Sequence, residues 1–321
     1  MKAAVYTKYG PPEVIEIKDI EKPIPKDNEV LVKIFASSMN RTDCGFRKPE
    51  YPLIIRLING IQRPKITVMG NEFSGEVETA GKDVKNFQPR DKVFGLKTNK
   101  FGTHAEYICI SENGSIALKP DNISFEDAAG VCDGLMLAIA YMREIDFSKN
   151  QKILINGASG SIGTAGVQLA RYFGANITAV CNAKNIGLIK NLGAGKVIDY
   201  EKEDFTKDNE KYDIVFDAVG KSSFLKCRKI LKEDGIYFST ELGYLGQNIF
   251  LTLLTPLFRK RKVKFPLPKD NKKDIEFFKE LIEKGNYSAV IDRIYSLDEI
   301  VEAAKYVETV GVTHQTLKNN L

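Results

Sequence analysis

The chain has no tryptophan, only two histidines (His104 and His314) and five cysteines spread over 321 residues. Two histidines are too few for a histidine-rich metal centre. The cysteines stand at 44, 109, 132, 181 and 227, so there is no Cys-x-x-Cys pair for metal or redox chemistry. An odd number of scattered cysteines reads as free, buried thiols in a reducing compartment. The start, Met1-Lys2-Ala3-Ala4-Val5-Tyr6, lacks a signal-peptide core. The longest strongly apolar stretch, Ile249 to Phe258, is too short to span a bilayer and contains Pro256. A cytoplasmic protein is therefore expected, with no membrane partner. Charge of one sign is also missing: 47 basic and 42 acidic residues leave +5, and the two signs interleave, which excludes nucleic acid as an expected partner. Hydrophobic residues at 43% and charged residues at 28% leave no room for extended disorder.

What is present is a β-rich part followed by an α/β part, at a length that suggests two domains. Val14–Lys18, Val30–Phe35 and Phe73–Glu78 alternate apolar and polar residues, separated by turn formers such as Pro11-Pro12 and Pro23-Ile24-Pro25. Short strands at this spacing predict a small barrel or sandwich. The apolar-basic segment from Pro49 to Pro64 interrupts them, as a functional loop or a covered helix. From about residue 123 the period changes. Ser124 is a good N-cap for Phe125–Ala129, and a second helix follows to about Glu144. Strands at Lys152–Asn156, Ile177–Cys181, Lys196–Ile198, Asp213–Asp217 and Gly235–Ser239 then alternate with helix-length segments, which predicts a doubly wound parallel sheet. Helices at Lys273–Lys284 and Leu297–Tyr306 flank a last strand at Val290–Tyr295.

The most informative stretch is Ile155-Asn156-Gly157-Ala158-Ser159-Gly160-Ser161-Ile162-Gly163, which follows a strand and opens a helix. Small residues there let the backbone approach a pyrophosphate, N–H groups at the helix start receive its charge, and Gly163 permits close helix–strand packing. A dinucleotide site is expected; a purely structural tight turn is the alternative. NAD sites place an acid about 20 residues on, at the end of the second strand. Here that strand ends Val180-Cys181-Asn182-Ala183-Lys184-Asn185, and no Asp or Glu occurs between Phe147 and Ile198. A carboxylate would repel a 2′-phosphate, whereas Lys184 and the Asn182 amide would receive it. NADP, as NADPH, is the expected cofactor, with Cys181 and Asn185 completing the strand end.

These residues resemble the medium-chain dehydrogenase/reductase superfamily, in its zinc-free, quinone-oxidoreductase-like (zeta-crystallin-like) branch. The matching pieces are Ser38–Asp43, Gly70–Val77, Asp91–Gly95, Gly102–Tyr107, the glycine turn, Val197–Tyr200 and Phe216–Gly220. The resemblance implies a GroES-like β-barrel catalytic domain, residues 1–122 and 262–321, around an inserted Rossmann NADP-binding domain, residues 123–261, with the active cleft between them. It also implies that Tyr200 lies near the adenosine phosphate, that Ala218, Val219 and Gly220 form a turn against the cofactor, and that Arg41 reaches the diphosphate.

In zinc-dependent relatives a Cys stands where this chain has Asn40, and a His where it has Asn71. Amides are poor zinc ligands beside thiolate or imidazole, and the four-cysteine structural zinc lobe is absent, so no metal is expected. Hydride must then go to an acceptor that is already electrophilic: a quinone or an α,β-unsaturated carbonyl. Asn40, Thr42 and Asn71 are the catalytic candidates, as hydrogen-bond donors to the carbonyl oxygen where charge develops. Asp43 is expected only to fix its loop. His104 and Tyr51 are weak candidates for a proton donor, and solvent is the alternative source. The chain departs from the family at Leu137, where relatives often carry Thr, and after Glu308. The tail Thr309–Leu321 replaces a closing strand, is poor strand material and is expected to be frayed.

Other readings stay open: a non-catalytic NADPH-binding sensor of the same fold, and a carbonyl or alcohol dehydrogenase. A short-chain reductase fails for want of its Tyr-x-x-x-Lys dyad, since none of the 13 tyrosines has a lysine four positions on. Membrane-surface contact by Leu53–Ile58, or by Ile249–Phe258 with the basic run at 259–262, is the weakest; core packing and a solvated face are expected to account for both. Homodimerisation through the Rossmann domain's sheet edge is expected by analogy.

Overall fold

The computed structural model describes every residue except 49–55, 58, 259, 311–313 and 320–321. The chain forms two compact units, Met1–Asp133 with Asp270–Leu321, and Gly134–Lys269.

The first unit is built on a seven-stranded sheet. Strands Ile291–Ser296, His314–Lys318, Glu29–Met39, Glu72–Ala80, Lys92–Leu96 and Ile116–Leu118 follow one another in space, and Tyr107–Ser111 pairs with the first half of Glu29–Met39. Alternation in the sequence explains the long central strand. Val30, Val32 and Ile34 point inward to Phe73, Val77, Val93, Ile108, Ile110 and Ile116, all buried, while Lys33 and Phe35 between them are only partly covered. The expected strand at Val14–Lys18 is shorter. Pro12–Val14 forms a 3-10 turn, for which proline at the first position is pre-set, and the strand runs Glu16–Asp19.

The tail overturns its expectation. His314–Lys318 is an interior strand, parallel to Ile291–Ser296 and antiparallel to Glu29–Met39. Its backbone is paired on both sides, and Leu317 is buried beside Met39, Ile300, Ala303 and Val307. Asn319 then donates from Nδ2 to the carbonyls of Ile34 and Ala105. Strand propensity is a weak guide where a two-sided ladder and one buried leucine hold the segment.

The second unit is a six-stranded, all-parallel sheet in the order Lys196–Asp199, Asn176–Cys181, Lys152–Asn156, Tyr212–Asp217, Leu231–Ser239, Lys262–Lys264. The order reverses at Lys152–Asn156, the switch point at which such sheets bind ligands beyond their carboxyl ends. The divisions at Asp133/Gly134 and Lys269/Asp270 fall later than 122/123 and 261/262. Helix Phe125–Ala128 belongs with the first sheet, where the Ser74 hydroxyl donates to the Phe125 carbonyl. Lys262–Lys264 belongs with the second as its last strand.

Of residues 249–257, core packing accounts for Leu251 and Thr255 only. Helix Gln247–Leu254 buries Asn248 but leaves Ile249, Phe250, Leu253 and Leu254 exposed, and Leu257 follows them at 75% exposure. Of Leu53–Ile58, only residues 56 and 57 are described, and Leu57 is 54% exposed.

Candidate functional site

In the first unit, the chain leaves strand Glu29–Met39 at Asn40 and turns at once into helix Arg41–Arg47. Asn40 is the N-cap. Its Oδ1 accepts from the Thr42 N–H at 2.9 Å and the Asp43 N–H at 3.2 Å. Asp43 completes a reciprocal capping box by accepting from the Asn40 N–H at 2.9 Å through Oδ2. Its other oxygen accepts from the Gly70 N–H at 2.9 Å, tying the strand that begins at Glu72 to the start of the helix. Asp43 therefore fixes more than its own loop.

That tie brings the two amides together. Asn40 Nδ2 donates to Asn71 Oδ1 at 2.9 Å, and Asn71 Nδ2 donates to Asp133 Oδ1 at 2.8 Å. The Asp133 N–H donates to Glu72 Oε1 at 2.8 Å, and Glu72 Oε2 bonds the Ser38 hydroxyl. Asn40, Asn71, Glu72 and Asp133 are all at least nine-tenths buried. Burial pushes the Glu72 carboxyl up strongly, helped by the neighbouring Asp133 charge. It pushes Asp133 up less, because the Asn71 amide bond favours its ionised form. His104 is buried, with Nε2 at 2.8 Å from the Ser38 carbonyl and 3.8 Å from Asp43, and so is held inside this network. The Thr42 hydroxyl makes no bond to a described residue, and Arg41 is exposed at the helix start. Tyr51 lies outside the described residues.

In the second unit the strand Lys152–Asn156 ends at the turn 157–160, and helix Ser161–Tyr172 begins. Its N-cap, Gly160, has no side chain to cap with, and the first turn holds no acid, so the helix end keeps its positive potential. A Cβ on Gly163 would stand 2.1 Å from the Gly157 carbonyl oxygen and 2.7 Å from Ala158 Cα, so helix and turn approach more closely than any side chain allows. Gly157 sits at φ +77, with Val219 against its Cα. The 157 turn and the Ala218-Val219-Gly220 turn therefore adjoin, and Asn156 Nδ2 clamps them by donating to Asp217 Oδ1 at 2.9 Å. At the end of strand Asn176–Cys181, Cys181 is buried and its carbonyl accepts from the Tyr200 N–H. Asn182 Oδ1 accepts from Asn185 Nδ2 at 2.8 Å. Lys184 is exposed and forms no ion pair with a described residue, and Tyr200 is 55% exposed. The adjoining acid, Asp199, is buried, and its Oδ1 accepts from the Glu201 N–H.

Two family models match this chain. The family model of the alcohol dehydrogenase GroES-like domain matches residues 26–121, and that of the zinc-binding dehydrogenase matches residues 192–313. A 2-methylene-furan-3-one reductase of Solanum lycopersicum is 31% identical over 98% of this chain and 77% of its own length. A chloroplastic NADPH-dependent alkenal/one oxidoreductase of Arabidopsis thaliana is 33% identical over 73% of this chain, which spans 61% of that protein. The solved quinone oxidoreductase of Coxiella burnetii superposes with a TM-score of 0.86 at 28% identity, covering 99% of each chain. The chain belongs to the medium-chain dehydrogenase/reductase superfamily. Like other members it is an oxidoreductase, with a GroES-like domain and a Rossmann-like domain on a parallel sheet.

For this dehydrogenase/reductase, reasoning from residues passed over Glu72, Asp133, Asn156 and Asp217. Asp133 had a usable signal. It is the only charged residue of helix Cys132–Met142, whose other ten residues are apolar, glycine or tyrosine. An acid there either caps a helix or meets a buried donor. The residues around Gly157 fit a dinucleotide: a turn no side chain could fill, an uncapped helix start, and a cation beside the second strand.

Proposed function

We propose that this protein is an NADPH-dependent, zinc-independent reductase of quinones or α,β-unsaturated carbonyl compounds. The observation that carries the reading is the Asn40–Asn71 pair. Asn40 spends its oxygen on the helix N–H groups and Asn71 spends its own on Asn40, so neither oxygen is left for a metal, while one Nδ2 hydrogen of Asn40 stays without a described partner. Amides committed in this way are poor metal ligands and good partners for a carbonyl oxygen.

When bound, NADPH supplies the hydride. The turn 157–163 would hold the pyrophosphate through Gly157, Ala158, Ser159, Gly160, Ser161, Ile162 and Gly163, with Arg41 as a second cation for it. Asn182, Lys184 and Asn185 beside Cys181 would take the 2′-phosphate, and Tyr200 would cover the adenosine. Ala218, Val219 and Gly220 would lie along the cofactor. Asn40 Nδ2, with Asn71 behind it and Thr42 beside it, donates to the acceptor's carbonyl oxygen. Negative charge accumulating there is stabilised by donors already in position, at no cost of reorganisation. The acid-free strand end and unpaired Lys184 support NADPH over NADH, as does the NADPH dependence in the name of the Arabidopsis relative.

Oxidation of NADPH and of NADH, measured against a panel of quinones and enones with and without chelator, tests the reading. Activity with NADPH that survives chelation is expected. Equal use of NADH, or loss with chelator, overturns the cofactor or the metal assignment.

We further propose a homodimer through the second unit. Lys262–Lys264 is the last strand of its sheet, and the Val263 N–H bonds Thr255 at the end of the exposed apolar helix. Strand edge and apolar face together suit a second copy of the same surface. Light scattering should report a dimer, and Leu253→Glu should shift it toward monomer; a monomeric wild type refutes it.

A further inference from the structure

We propose that Asp133 is a positioning residue that anchors Asn71 and so fixes the direction of the amide chain Asn40 → Asn71 → Asp133, making the site a donor to carbonyl oxygens. The inference rests on the reading that Asn40 meets the acceptor, and it adds a residue to which no role was assigned.

The chain of bonds has one self-consistent polarity. At one end, Asn40 Oδ1 faces the N–H groups of Thr42 and Asp43, so this amide cannot turn without setting its NH₂ against two donors. Nδ2 must therefore point to Asn71, and Asn71 must answer with its oxygen. That leaves the Asn71 NH₂ facing inward, in a place with almost no exposure, where an amide donor needs an acceptor. Asp133 Oδ1 supplies it at 2.8 Å. Asp133 is itself held by its backbone N–H on Glu72 Oε1, and Glu72 by the Ser38 hydroxyl. Glu72 spends Oε1 on the Asp133 N–H and Oε2 on the Ser38 hydroxyl, so the acceptor facing Asn71 is Asp133 Oδ1.

Without Asp133, Asn71 would lose its inward partner while Asn40 kept its own. Asn71 would then rotate or withdraw, and Asn40 Nδ2 would lose the oxygen that orients it. One Nδ2 hydrogen of Asn40 goes to Asn71, and the other meets no described residue. That second hydrogen is the one offered to an acceptor. Asn40 fixed in this sense presents an N–H and not its amide oxygen, which suits it to a carbonyl oxygen on which charge develops.

The test compares Asp133→Asn, which keeps an acceptor oxygen, with Asp133→Leu, which fills the space without one. Asn40→Ala serves as the control for the acceptor site. Turnover of an enone, NADPH affinity by fluorescence, and the side-chain amide resonances of ¹⁵N-asparagine-labelled protein are read in each. Asp133→Leu is expected to lower kcat/KM by about tenfold or more, with NADPH affinity unchanged and the exchange-protected Asn71 Nδ2 resonance lost. Asp133→Asn should stay within about threefold and keep that resonance. Wild-type turnover and an unchanged resonance in Asp133→Leu would reduce Asp133 to packing and overturn the proposal. Failure of Asp133→Asn together with Asp133→Leu would overturn the acceptor role. Should Asp133→Leu not fold, the Asn71→Ala background decides: adding Asp133→Asn or Asp133→Ala there should change kcat/KM no further, and a further loss refutes action through Asn71. If instead Asn40→Ala reduces enones like wild type, the functional reading falls, while the amide resonances still report the anchor.

Discussion

The two units carry their candidate sites in opposite ways. In the second, the turn 157–163 is one contiguous segment that works through backbone N–H groups, small residues and a helix end. In the first, Ser38, Asn40, Asp43, Gly70, Asn71, Glu72, His104 and Asp133 come from four separated parts of the chain and work through buried side-chain bonds. A backbone site tolerates almost any side-chain chemistry that leaves room. A side-chain network tolerates almost any shape change that keeps its donors and acceptors matched. Substitutions of volume should therefore damage the second unit most, and substitutions of hydrogen-bonding capacity the first.

The largest effect expected is that of Gly163→Val. The added atoms would meet the Gly157 carbonyl and Ala158 backbone, neither of which is a flexible side chain. Loss of about 3 kcal/mol or more of stability is expected. Thermal unfolding and NADPH titration read it, and a variant that melts and binds like wild type would show that the close approach is not needed. Lys184→Ala would remove the proposed charge-assisted contact to the 2′-phosphate by trimming an exposed side chain. It should weaken NADPH by about 1.5–3 kcal/mol and leave NADH unaltered. Equal losses for the two cofactors would mean that another group reads the 2′-phosphate.

In the first unit, Asn40→Ala removes a helix cap and the head of the amide chain together. About 0.5–2 kcal/mol of stability should be lost, with a larger proportional loss in enone turnover than in NADPH affinity. A variant that loses stability but not turnover would confine Asn40 to its capping role. The pH dependence of stability gives a separate test of this network. Burial raises Glu72 from 4.5 to about 8, so the folded state holds a proton that the unfolded state releases between those values. Stability from this group is present at low pH and is lost as pH rises through that window. Asp133, shifted in the same direction, adds to the slope. Glu72→Gln, neutral throughout, should flatten the fall in denaturation midpoint between pH 5 and 8 relative to wild type. An unchanged slope would place the pH dependence elsewhere.

How far each region was legible follows from the same contrast. The glycine turn, the strand before it and the helix after it stood in sequence order, as did Ser124 capping Phe125–Ala128. Asn40 and Asn71 were visible as residue types at positions where relatives carry zinc ligands. That they bond each other was not visible, because 31 residues separate them and a sheet register brings them together. His314–Lys318 misled for a related reason. Its residues are ordinary, and its place between Ile291–Ser296 and Glu29–Met39 comes from two ladders more than from its own composition. Residues 249–257 are apolar yet mostly exposed, with Leu251 packed on the core, since an apolar run signals burial only where something covers it.

The order of residues alone determined the β-then-α/β division, the dinucleotide turn and the scarcity of metal-binding side chains, because each depends on near neighbours or on residue type. Only the tertiary structure decided which buried polar groups face one another, since a hydrogen bond between distant residues exists nowhere until packing has excluded water and set two segments 3 Å apart. Asp133 acquires its partner in that way, and so does the interior strand at the end of the chain.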